Sequence, residues 1–113
     1  TSFSAKKSYL EKNPEIIQAF TDALQKGMDY VQEHSAEEIA KCIVPQFAET
    51  ESDTLTAIVA RYQEQDTWKE DLIFHKDAFD LLQNILEDSD VLKERVPYEA
   101  LVTTEFAEKA TAR

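Results

Sequence analysis

Glycine occurs once in this 113-residue chain, at Gly27, and proline three times, at Pro14, Pro45 and Pro97. A chain so short of glycine has few residues suited to the positive-φ turns of tight hairpins, so helices are favoured over strands. A single glycine also excludes the Gly-rich loops that cradle phosphates. Cys42 is the only cysteine. No internal disulfide can form, which fits the cytoplasm or an exported protein that needs no staple. His34 and His75 are the only histidines; without HExxH, CxxC or any closely spaced His/Cys set, neither a structural zinc nor any other cofactor is expected. No run approaches the ~20 apolar residues of a membrane-spanning helix. Basic residues are scarce too: 12 Lys and Arg face 23 Asp and Glu, a formal charge of −11. That field opposes nucleic-acid backbones and anionic membrane surfaces. The carboxylates are too plentiful to single one out, and no acidic run has the internal glycine of an EF-hand loop.

What is present is enough apolar material for a core, 42% of residues, arranged at helical spacing. Asn13 is a good N-cap and Pro14 suits the first helical position, where a missing N–H costs nothing. Ile17, Phe20, Leu24, Met28 and Val31 then form one stripe. Gly27 lies inside this helix, and the simplest reason for it there is a point of close helix packing. Ser35-Ala36-Glu37-Glu38 is a capping box, opening a second helix through Ile39, Ala40, Ile43 and Phe47 that Pro45 ends or bends. Thr50 to Asp53 resembles another cap, for a third helix striped by Leu55, Ile58, Val59 and Tyr62. Residues 63–74 are a connection containing Trp68. A fourth helix runs from about Asp77 to Glu87 with Phe79, Leu82, Ile85 and Leu86 inward; short turns follow around Pro97, and Thr103 or Thr104 caps a last helix through Phe106. The expectation is a mostly α chain, a single region over 1–113 built as a compact assembly of four to five short amphipathic helices.

Candidate functional residues are few. His34 belongs to a helix C-terminus, where an imidazole interacts with the dipole, and His75 to the cap region of the fourth helix. Cys42 is read as core, because a free cysteine behaves as a small hydrophobe and no base lies near it in sequence. Phe20, Phe47, Tyr62, Phe79 and Phe106 fall on stripes and are expected inside. Trp68 falls outside any stripe, and either closes the core from its loop or lines a ligand cleft or docking face. Thr1, Ser2, Phe3 and Ser4 place hydroxyls beside an aromatic, a fragment of a polar-rimmed pocket. An enzyme would need a convergent nucleophile, base or metal set, which is missing. By themselves, the acidity and the short amphipathic helices fit a stand-alone acidic helical protein-interaction module.

The order of landmarks is more specific than any one of them. Tyr9-Leu10-Glu11-Lys12-Asn13-Pro14-Glu15 with Phe20 and Ala23 resembles the YL-x-x-NPE … F-x-x-A run of bacterial ABC-transporter substrate-binding proteins. The similarity is to the group that includes nitrate/sulfonate/taurine and thiamine-pyrimidine-precursor binding components. It continues through His34 to Glu38, Tyr62 to Lys69, and Arg95-Val96-Pro97-Tyr98-Glu99-Ala100-Leu101-Val102 before Phe106-Ala107. The resemblance implies the C-terminal portion of a two-lobe α/β periplasmic-binding-protein-like fold, with a solute held between lobes outside the cytoplasmic membrane, in the periplasm or lipid-anchored at the outer face, and delivered to a membrane permease. The opening at Thr1 rather than Met is read as a processed or excised chain. By position the resemblance puts Thr1, Ser2, Phe3 and Ser4 nearest the interlobe region, with Trp68 a second candidate. The remaining lobes of a parent protein would be partners of this chain. Helix faces meant for them would otherwise favour homo-oligomers.

Overall fold

The structure is a computed structural model that describes residues 2–112. It is mostly α, and among the described residues there is no strand. The described residues form seven α-helices: α1 Lys7–Lys12, α2 Pro14–Glu33, α3 Ala36–Ile43, α4 Ser52–Glu64, α5 Lys76–Asp88, α6 Tyr98–Leu101 and α7 Glu105–Thr111, with a 3₁₀ turn at Val44–Gln46. The two additions to the expected set, α1 and α6, are six and four residues long. None of the helices is long and apolar enough to cross a membrane.

Local chemistry explains most boundaries. The Asn-Pro landmark is a helix–helix junction: the Asn13 N–H and Nδ2 both donate to Tyr9 O, at 2.9 and 3.3 Å, closing α1. Asn13 O then accepts from Ile16 and Ile17 N–H at 3.2 Å, opening α2 behind Pro14. At α3 the capping box is complete, with Glu38 N–H donating to Ser35 Oγ at 3.3 Å and Ser35 N–H donating to Glu38 Oε2 at 2.9 Å. These bonds to Ser35 hold the Glu38 carboxyl below the usual carboxylate range. Because the folded state favours the charged form, this contribution is present above the ordinary glutamate range and is lost as pH falls through the lowered value. Glu87 follows the same sign, lowered by its bond to Arg95. We therefore expect helicity to melt at a lower temperature on acidification below about pH 4, with part of that sensitivity removed in Glu38→Gln.

The shortage of glycine is met by aspartate. Asp66 (φ 53°) and Asp90 (φ 58°) are the described non-glycine residues at positive φ, and each sits just past a helix. Asp66 N–H donates to Gln63 O and Thr67 N–H to Tyr62 O; Asp90 N–H donates to Glu87 O and Val91 N–H to Leu86 O. Both pairs are Schellman closures, in which the left-handed residue is most often glycine. Aspartate tolerates that region better than most residues but not freely. Asp90→Gly is expected to stabilise by about 0.5–1 kcal/mol in chemical denaturation. Conversely, the one glycine is not demanded by packing. A Cβ at Gly27 would meet nothing within 4 Å, contrary to a close helix approach, so Gly27→Ala should add about 0.5–1 kcal/mol of stability.

The chain divides into two compact units, residues 1–21 with 72–113, and residues 22–71. In the first, Phe79 of α5 is 4% exposed and meets Phe74 and Tyr98 edge-on, with ring centroids 5.7 and 5.6 Å away. Tyr98 Oη donates to Phe74 O. Gln83, also buried, pairs with the backbone of Val96 in both directions: Val96 N–H donates to Oε1 at 2.8 Å and Nε2 donates to Val96 O at 3.2 Å. Arg95 Nε and Nη2 donate to Glu87 Oε2 at 2.9 and 2.6 Å, and Nη2 also to Asn84 Oδ1. The segment after α5 is thus strapped onto that helix. Ala107 and Ala110 of α7 are buried, and Gln18 Nε2 donates to Phe106 O at 3.0 Å.

In the second unit α3 packs on α4, and the core is Ile39, Ala40, Leu55 and Val59. Several expected core residues lie elsewhere. Phe20, Phe47 and Tyr62 are exposed, and Phe106 is half-buried. Cys42 is exposed as well, its Sγ 3.1 Å from Tyr30 Oη; that bond raises the Tyr30 pKa. On α5 the inward face runs through Phe79, Gln83 and half-buried Leu86, whereas Leu82 and Ile85 are exposed. The apolar residues of this helix span a wider arc than its core contact covers, and a polar residue occupies the centre of that contact.

Candidate functional site

Within the second unit, the last turns of α2 and α4 and the loop after α4 enclose a groove of about 170 Å³ lined by Val31, Gln32, Gln63, Asp66 and Trp68. Trp68 is half-buried; it meets Tyr62 edge-on, with centroids 5.5 Å apart, and also lines the groove. Two glutamines fix the walls. Gln32 Nε2 donates to Trp68 O at 3.0 Å and reaches Lys69 O at 3.4 Å, tying the loop to α2. Gln63 Nε2 donates to His34 O at 3.1 Å and Val31 O at 3.3 Å, tying α4 to the end of α2. Deeper along α2, buried Gln25 donates Nε2 to Asp29 Oδ1 at 2.9 Å and Glu70 O at 3.0 Å, holding the far end of the loop. At the floor of the loop the Schellman closure turns the chain at Asp66, whose Oδ2 and carbonyl oxygen accept from Lys69 Nζ at 2.7 and 2.8 Å.

His34 stands beside this region as the helix-end reading expects. Its Nδ1 lies 2.9 Å from Tyr30 O, and its ring stacks on that of Tyr30 with centroids 3.7 Å apart. His75 occupies the N-cap position of α5. Among the described residues no group of three or more His, Cys, Asp or Glu is gathered to hold a metal.

The N-terminal candidates lie in the first unit. Ser2, Phe3 and Ser4 form an exposed, non-helical lead-in to α1. The Phe3 ring meets Phe20 edge-on, with centroids 5.1 Å apart, while remaining 74% exposed. Thr1 lies outside the described residues. The glutamines, by contrast, are absent from the sequence-derived candidates. Their signal is a seven-residue recurrence on α2: Gln18, Gln25 and Gln32 each donate Nε2 to a backbone carbonyl of a segment distant in sequence. Polar residues at heptad spacing on an otherwise amphipathic helix mark one face just as apolar ones do.

Two comparisons fit the ordered landmarks. The family described as NMT1/THI5 like matches residues 1–38, which contain the Tyr-Leu-Glu-Lys-Asn-Pro-Glu junction and the whole of α2. The chain is also 37% identical over 112 residues to a Bacillus subtilis (strain 168) protein named "Putative binding protein YtlA", an alignment covering 99% of this chain and 34% of the relative. Both matches agree with the resemblance carried by the landmarks: residues 1–38 are similar to the NMT1/THI5-like family, and the whole chain is similar to a protein named for binding. It spans about a third of the length of the curated relative it matches. No solved structure matches it.

Proposed function

We propose that this chain is the C-terminal scaffold and hinge-side part of an extracytoplasmic solute-binding protein, which captures a small solute and delivers it to the permease of an ABC importer. The observation that carries this reading is the 37% identity, sustained over 99% of the chain, to a protein named for binding. The family match at the N-terminal third supports the same direction. The role is binding rather than catalysis. The parent protein acts at the outer side of the cytoplasmic membrane, in the periplasm or held by a lipid anchor. Its partners are the remaining lobes, the permease and the solute. In this reading Ser2, Phe3 and Ser4, with Thr1, approach the cleft between lobes, and the exposed apolar side of α5 at Leu81, Leu82 and Ile85 is covered by the rest of the protein.

The test is a thermal-shift screen of the full-length parent protein against sulfonates, nitrate-like anions and pyrimidines. A solute that raises the melting temperature saturably, confirmed by calorimetry at one site per chain, is the expected result. A full-length protein that no solute stabilises, but that binds another protein through this region, would replace the proposal with the interaction-module reading. That second reading is favoured by the same α5 side, where Leu81 and Ile85 are 58% and 54% exposed.

A further inference from the structure

No further inference is drawn: the strongest candidate, the exposed apolar side of α5 at Leu81, Leu82 and Ile85, carries nothing further because nothing in the structure shows what covers it.

Discussion

Phe79→Ala is expected to cost about 3–5 kcal/mol, the range for removing a buried phenylalanine. The ring is 4% exposed and stands between Phe74 and Tyr98, both met edge-on. Edge-to-face pairs contribute about 0.5–1.5 kcal/mol each beyond the area they bury, so this substitution removes more than apolar surface. Tyr98 would also lose the packing that holds its hydroxyl on Phe74 O. Domains of this size are stable by only about 5–15 kcal/mol. Denaturant unfolding followed by circular dichroism should therefore show a transition shifted far towards water, or none. Leu82→Ala is the informative control. Leu82 is on the same helix, three residues on, but 43% exposed, and its truncation should cost under about 1 kcal/mol. If the helix were rotated so that Leu82 and Ile85 faced the core, the two costs would converge.

That contrast shows where the sequence is legible and where it is not. Helix starts written in local chemistry can be read directly: Pro14 at the first turn of α2, and Ser35 with Glu38 at α3, need only their own neighbours to form. The rotation of α5 is a tertiary choice. Leu81, Leu82, Ile85 and Leu86 with Phe79 make an apolar arc wider than any single contact, and the inward side is decided by what Gln83 can bond. Glutamine looks the same in sequence whether it is solvated or tied to a buried backbone, so Gln25, Gln32, Gln63 and Gln83 escape a reading based on apolar stripes. Asp66 and Asp90 are hidden for a related reason. Positive φ is sought at glycine, and here aspartate takes the position because the Schellman bonds outweigh the strain. At the candidate site, Trp68 could be singled out because it falls off every stripe. The groove around it could not, because its walls are two helix ends joined through amide side chains.

Gln83→Ala provides the second large effect, with a pH signature that separates its cause from simple packing. The wild-type amide satisfies both the N–H and the carbonyl of Val96 at a residue only 6% exposed. Truncation leaves those two backbone groups without the side chain, at a cost of about 2–3 kcal/mol, and should release the Val96 amide to fast hydrogen exchange before the rest of α5 opens. Gln83→Glu keeps the shape and accepts the Val96 N–H, but sets a carboxylate oxygen against the Val96 carbonyl. The protonated acid can still donate to that carbonyl, whereas the carboxylate cannot. Burial and the facing oxygen therefore raise the pKa of the introduced carboxyl in the folded state. A folded state that holds its proton more tightly than the unfolded chain is stabilised at low pH and loses that contribution as pH rises through the raised value. The Gln83→Glu chain should thus approach wild-type stability below about pH 4 and fall behind it progressively towards neutrality. Wild type moves the other way over the same range, because Glu38 and Glu87 hold their charged forms through Ser35 and Arg95. Thermal melts of both chains across that range decide the matter: converging curves on acidification place the side chain against the Val96 backbone, and parallel curves would show that only its volume matters.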